Sequence, residues 1–213
     1  DRGVRISFTF DGKAYQGLAG DTLASALLAA GETLFGRSFK YHRPRGIMGA
    51  GVEEPNALIT VDRGGGRFTP NLRATQIEIY EGLNAKSQNR WPSLKRDFGA
   101  INDRLGRFFP AGFYYKTFMW PRAFWEKLYE PMIRKAAGLG RLSMAADPDA
   151  YDKGFLHCDL LVIGGGATGL AAALTAARAG AQVILADEDP CLGGRLRAES
   201  ETLDGAPATN WIA

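Results

Sequence analysis

An α+β unit followed by the opening of an α/β unit is the architecture that three features of these 213 residues predict. Residues 4–10 alternate apolar and polar side chains and run into Asp11-Gly12, a strong two-residue hairpin signal. Further on, a glycine-rich turn and an Ala-rich helix separate two short apolar runs, the order of a parallel βαβ crossover. Between these regions, residues 83–155 hold Trp91, Trp120 and Trp125 in an aromatic-rich stretch that fits neither pattern.

Bulk composition narrows the functional classes. Hydrophobic content of 46% and charged content of 23% are ordinary for a globular chain. A net charge of +3, with a pI near 8.9, does not advertise nucleic acid or an anionic membrane as partner. Cys158 and Cys191 cannot build a disulfide framework or supply the four thiolates of an iron–sulfur cluster. No such cluster is therefore expected, and a reducing, cytoplasmic setting fits best. Residues 160–177 lack charge and approach the length of a membrane span, but Gly164-Gly165-Gly166 within them predicts a strand–turn–helix instead. The strand pattern in the first ten residues predicts no leader peptide.

In the first unit, Val4, Ile6, Phe8 and Phe10 alternate with Arg5, Ser7 and Thr9, as in a half-buried strand. The hairpin returns through residues 13–16. Asp21 reads as an N-cap, Leu23, Ala26, Leu27 and Ala30 take helical spacing, and Gly31 reads as the stop. A long loop follows, "RSFKYHRPRGIMGAGVEEPNA", then strand-like runs over residues 57–61 and 76–80. Hairpin, helix, long loop and further strands is the order of a β-grasp domain, placed over residues 1–82.

Residues 83–155 are read as a helical packing segment. Pro121 can open a helix in which Phe124, Leu128 and Met132 repeat every four residues, with Trp125, Tyr129 and Ile133 beside them. Pro131 should kink or divide it. A stripe that wide belongs against another surface, of this chain or of a partner.

The chemistry-bearing motif lies in the third segment, residues 156–213: "LLVIGGGATGLAAALTAARAGAQVILADEDPCLGGR". Gly164, Gly165, Gly166, Ala167, Thr168 and Gly169 form a GxGxxG turn directly after an apolar strand, and Asp187 ends the next strand 23 positions after Gly164. That context is the dinucleotide fingerprint of a Rossmann-type domain. Gly164 makes the tight turn, Gly166 lets backbone approach a pyrophosphate, and Gly169 lets helix and strand pack closely. The helix start offers unpaired N–H groups and a positive dipole end to phosphate, and Thr168 can present its hydroxyl. Asp187 can accept from both ribose hydroxyls, with Glu188 in reserve; an acid there disfavours a 2′-phosphate. Gly193-Gly194-Arg195 is either a cation-bearing turn against the cofactor or a plain loop with a solvated Arg195. Only one crossover is present, so the domain is expected to be cut short and no catalytic residue is expected here.

Other chemistries find little support. His42 and His157 are the only histidines, no Gly-x-Ser-x-Gly elbow occurs, and His157-Cys158 lacks metal-ligand spacing. The run from Arg37 to Arg45, interleaved with Phe39, Tyr41 and His42, superficially suits single-stranded nucleic acid, but pairing with cofactor phosphate, or packing and ion pairs with another domain or subunit, fits it better. The same role is expected of Glu53 and Glu54.

Three stretches, "SFKYHRPRGI…EEPNALITVD", "SQNRWPSLKRDFGAIN…FPAGFYYKTFMWPRAFWEKLYEPMIRKAAGLGR" and "HCDLLVIGGGATGLAAAL", resemble the α subunit of heterotetrameric sarcosine oxidase. The related subunit of N-methylglutamate dehydrogenase shares much of them. The resemblance implies a ferredoxin-like β-grasp domain followed by a dinucleotide domain, with a folate-binding region further on that these residues do not reach. It implies oxidative demethylation of sarcosine to glycine and hydrogen peroxide, the methyl carbon passing to tetrahydrofolate. Its partners would be the β, γ and δ subunits, with FAD and FMN held elsewhere in the complex. It also implies NAD at residues 164–169, Asp187, Glu188, Gly194 and Arg195. By residue chemistry alone the same site suits FAD equally, because both cofactors carry the same adenosine half.

Overall fold

The computed structural model describes residues 3–108, 111–112, 120–189, 191–197, 200, 202–203 and 205–212. The chain forms two compact units, residues 1–147 and 148–213, where the sequence alone suggested boundaries at 82 and 155.

The first unit is built on a five-stranded mixed sheet. Its strands are β1 (Arg5–Phe10), β2 (Lys13–Leu18), β5 (Leu58–Asp62), β6 (Phe68–Arg73) and β7 (Asn84–Ser87), in the spatial order β2-β1-β7-β5-β6. β1 and β2 pair antiparallel across the Asp11-Gly12 turn, whose φ values of 50° and 79° are the positive pair a tight hairpin requires. β7 runs parallel to β1 and antiparallel to β5. Asp11 also fastens β7: its carboxylate accepts from the Ser87 backbone at 2.8 Å, from the Ser87 hydroxyl at 2.6 Å and from Arg90 at 2.8 Å. A small β3–β4 ladder, Gly36–Arg37 against Pro44–Arg45, closes the first part of the long loop.

Helix α1 (Leu23–Ala29) begins one residue later than expected. Thr22 is its N-cap, accepting from the Ser25 N–H at 3.1 Å, while Asp21 instead accepts from the Leu18 N–H at 3.0 Å. Gly31, with φ of 83°, takes the left-handed turn that ends the helix. The alternation of β1 buries Phe8 and Phe10, and these join Leu23, Leu27, Phe35, Ile59 and Leu83 in one core cluster. The run over residues 76–80 is not a strand; Glu78 makes only an isolated bridge to Thr22. The strands actually present, β6 and β7, are Pro-, Asn- and Lys-containing segments without clean alternation.

The helical stretch predicted around Pro121 runs as a 3₁₀ turn (Arg122–Phe124), a π turn (Trp125–Tyr129) and an α-helix (Glu130–Ala136), with Pro131 near the start of the last. Much of the preceding aromatic run, residues 113–119, lies outside the described residues. Phe124, Leu128 and Met132 are exposed, as are Trp91, Phe98 and Trp120.

The second unit holds β8 (Leu160–Ile163) and β9 (Val183–Ala186), paired parallel and joined by the helix Ala167–Arg178. Beyond β9 come a 3₁₀ turn (Gly194–Arg197), a two-residue ladder of β10 (Thr202–Leu203) and β11 (Ala206–Pro207), and a short helix (Ala208–Ile212). Among the described residues no helix is long and apolar enough to cross a membrane.

Candidate functional site

The glycine turn occupies the C-terminal end of β8. The Gly164 N–H donates to Ala186 O at 2.8 Å, so the parallel ladder holds the turn beside the end of β9. Gly164 has φ of 104°, a conformation that favours glycine. A Cβ at Gly169 would lie 1.8 Å from Gly164 O, so only glycine lets the helix start this close to the strand. Gly166 is the helix N-cap, and a Cβ there would meet no atom within 4 Å. The chain therefore leaves space above Gly166, beside the free N–H groups of the first helical turn. Ala167 and Thr168 are exposed on that turn.

Asp187 stands across this opening. Its Oδ2 accepts from the Gly165 N–H and its Oδ1 from the Asp189 N–H at 2.7 Å. The Asp189, Gly165 and Glu188 N–H groups hold the Asp187 carboxyl below the usual aspartate range, so it is ionised at neutral pH. Burial, with repulsion from Asp187 and Glu188, pushes the Asp189 carboxyl up. Glu188 is exposed next to Asp187.

The Gly193-Gly194-Arg195 turn is packed on the glycine loop. Gly193 N–H donates to Gly165 O at 2.8 Å, and a Cβ at Gly194 would lie 3.2 Å from Gly166 Cα. Gly193 and Gly194 take φ of 112° and 50°. Arg195 is exposed in the same turn. All the expected positions are thus gathered at one end of the two strands. Gly193 and Leu192 belong with them, since a Cβ at Gly165 would lie 2.5 Å from Leu192 Cδ2. Contacts of that kind depend on loop conformation, which spacing does not reveal.

The first unit carries two buried acids that sequence reasoning placed elsewhere or passed over. Glu54, 1% exposed, accepts from the Met48 and Gly49 N–H groups at 2.6 Å each and from Asn56 N–H at 2.7 Å. Burial alone would raise its pKa, but the backbone donors outweigh that and hold it below the ordinary glutamate range. It organises the loop from within and does not face a partner. Asp97 accepts from His42 Nδ1 at 2.6 Å, from Trp91 N–H at 2.8 Å and from Gly99 N–H at 3.2 Å, with Arg37 Nε 4.0 Å away. Arg43 pairs with Asp103 at 2.6 Å. Part of the basic run is therefore already neutralised within the chain.

Residues 3–90 match the family described as 2Fe-2S iron-sulfur cluster binding domain, and residues 159–211 match FAD dependent oxidoreductase. The first match corrects the expectation of no iron–sulfur cluster in this chain, since a cluster is what that family suggests. The expectation rested on counting thiolates, and neither cysteine lies in the matched residues. Among the described residues no group of three or more His, Cys, Asp or Glu gathers to hold a metal. The described residues therefore supply no recognisable ligand set for a cluster. The second match fits FAD, the alternative expected at the same site, and does not show NAD.

The chain is 67% identical over 211 residues to sarcosine oxidase subunit alpha of Rhizobium meliloti (strain 1021), covering 99% of this chain and 21% of that protein. It is 37% identical to the subunit of the same name from Corynebacterium sp. (strain U-96), over 100% of this chain and 17% of that protein. The chain thus spans about a fifth of the length of these relatives. Among solved structures, L-proline dehydrogenase from P. horikoshii shares the fold, with a TM-score of 0.51 at 18% identity, covering 100% of this chain and 31% of that one. Over nearly its whole length, this chain is similar to the N-terminal part of sarcosine oxidase α subunits.

Proposed function

We propose that the chain is the N-terminal portion of a sarcosine oxidase α subunit, and that its second unit is a Rossmann-type fold holding an adenine dinucleotide. The observation that carries this reading is the opening at Gly166, flanked by free helix N–H groups and the ionised Asp187. The loop 164–169 would take the pyrophosphate, and Asp187, with Glu188 beside it, the adenosine ribose. The turn bearing Gly194 and Arg195 would shield the same end.

FAD is the first candidate, supported by the FAD dependent oxidoreductase match over residues 159–211. When bound, a flavin supplies two-electron transfer. This chain's own residues bind and orient the dinucleotide. The oxidation of sarcosine is assigned to parts of the complex outside these residues.

The sheet through β7 then forms the β-grasp part, the exposed aromatic stretch that follows it an assembly segment, and residues 148–213 the nucleotide part, in a cytoplasmic complex with further subunits. The exposed aromatics of the middle segment support the assembly role: Trp91 and Phe98 stack edge to face at 5.1 Å, yet are 68% and 64% exposed.

Denaturing the purified complex and identifying released nucleotides by mass spectrometry tests the proposal. FAD is expected. Absence of any adenine dinucleotide overturns the site; NAD in place of FAD keeps the site and overturns the flavin.

A further inference from the structure

Residues 98–108 of the first unit form consecutive helical turns with their apolar side facing outward. They comprise a 3₁₀ turn (Phe98–Ala100), an α-helical turn (Ile101–Arg104) and a second 3₁₀ turn (Gly106–Phe108). One side is fitted to the loop after α1. A Cβ at Gly99 would lie 2.3 Å from His42 Nδ1, and one at Gly106 would lie 3.4 Å from Tyr41 Cε1. Between them Asn102 Nδ2 donates to Lys40 O at 3.4 Å, and Asp103 accepts from Arg43 Nε at 2.6 Å. Phe98, Ile101, Leu105 and Phe108 recur at steps of three and four on the other side. All four are exposed, Ile101 and Phe108 to 60% and 61%. Trp91 packs edge to face on Phe98 and lengthens the stripe. A surface helix ordinarily turns such a stripe to the core; here the loop takes the polar and glycine side instead.

The rim of this stripe is basic. Residues 91–108 hold Lys95, Arg96, Arg104 and Arg107 against only Asp97 and Asp103. Both acids are engaged within the chain, Asp97 by the Trp91 and Gly99 N–H groups and Asp103 by Arg43. Arg96 and Arg104 are exposed and form no ion pair among the described residues. Arg104, three residues after Ile101 and four before Phe108, stands at the edge of the apolar side. Arg107 lies over the Phe108 ring at 4.8 Å. Lys95 is within electrostatic reach of Glu32, a carboxylate already bonded by Lys13 and Tyr15.

We propose that this face docks an acidic amphipathic helix of another polypeptide in the complex, its apolar residues on the stripe and its Asp or Glu against Arg96 and Arg104. The inference rests on the assembly role of this stretch and gives the partner its chemistry. Basic rim and acidic partner are complementary, which sets both orientation and encounter rate. The aliphatic pair Ile101 and Leu105 at the centre offers a ridge to the groove of a second helix. Single-stranded nucleic acid would instead call for aromatic platforms there.

Size-exclusion chromatography of the purified complex over a dilution series reads the assembly. Arg96→Glu with Arg104→Glu should weaken it about tenfold or more, and Arg96→Lys with Arg104→Lys should not. Ile101→Gln with Leu105→Gln should weaken it about as much. These side chains are exposed, so the thermal midpoint of the chain should hold; Arg104→Glu alone gives the same reading if a double variant does not fold. Rising salt should loosen the wild-type complex more steeply than that of the Glu variant. An intact complex indifferent to the variants overturns this inference alone, whereas a wild-type chain that enters no complex overturns the assembly role with it. Loss of binding to poly(dT) or to phosphatidylserine vesicles, with assembly unchanged, would overturn it in favour of nucleic acid or membrane.

Discussion

Asp187 accepts a hydrogen bond from the backbone N–H of Gly165, so the acid ending the second strand is fastened to the glycine turn ending the first. Their separation in sequence is bridged by the helix Ala167–Arg178 and by the parallel ladder of β8 and β9. The same N–H bonds that hold Asp187 in place keep it ionised. Replacing it by neutral Asn removes the charge while keeping the size. Asp187→Asn is expected to weaken dinucleotide affinity about 10- to 100-fold, the worth of hydrogen bonds to a charged group. Calorimetric titration of the stripped protein checks this, and unchanged affinity would place the ribose elsewhere.

Glu54 predicts a pH dependence in the other unit. Its carboxyl pKa in the folded chain lies below the ordinary value, so its contribution to stability is full above the ordinary glutamate range. That contribution is lost as pH falls through the depressed folded value. Glu54→Gln should cost roughly 2–3 kcal/mol at neutral pH, since buried N–H groups lose an ionised acceptor. Denaturant unfolding across a pH series should show the gap between wild type and variant closing only at acid pH. A gap that stays constant with pH would contradict the assignment.

Gly169→Ala tests the close approach of helix and strand. The new methyl would meet Gly164 O, a backbone atom that cannot rotate away. The second unit should lose roughly 3 kcal/mol, from overpacking against rigid backbone. Thermal unfolding that matches wild type would mean that the helix does not sit so close to β8.

Much of this was legible before the fold was known. The hairpin at Asp11-Gly12, helix α1 and the strand–turn–helix–strand around Gly164 all follow from local patterns, because each is fixed by residues close in sequence. Where local rules fell short, long-range contacts decided. Residues 76–80 look like a strand but find no neighbouring ladder, whereas the plain segment Asn84–Ser87 is drawn between β1 and β5 and anchored by Asp11. Thr22 takes the cap because Asp21 is bonded to the end of β2. The buried roles of Glu54 and Asp97 depend on loop backbones folding around them, which residue type alone cannot announce.

The exposed Trp91–Phe98 pair bears on the proposed assembly role. Trp91→Ala with Phe98→Ala should lower the fraction of chain recovered in the complex by size-exclusion chromatography, with little change in the stability of the chain itself, since both rings are largely solvated. Full assembly of the variant would assign these rings another purpose.

Gly166 separates binding from folding most cleanly. Its φ of −71° suits any residue, and a Cβ there would meet no atom within 4 Å, so Gly166→Val should leave the second unit folded, at a capping cost of about 1 kcal/mol, while filling the space proposed for the pyrophosphate. The decisive measurement is the adenine dinucleotide bound per chain at this site, compared between wild-type and Gly166→Val protein after saturation and removal of free ligand. Near-stoichiometric nucleotide in the wild type and almost none in a variant that remains folded is the predicted result; equal occupancy in both would contradict the account.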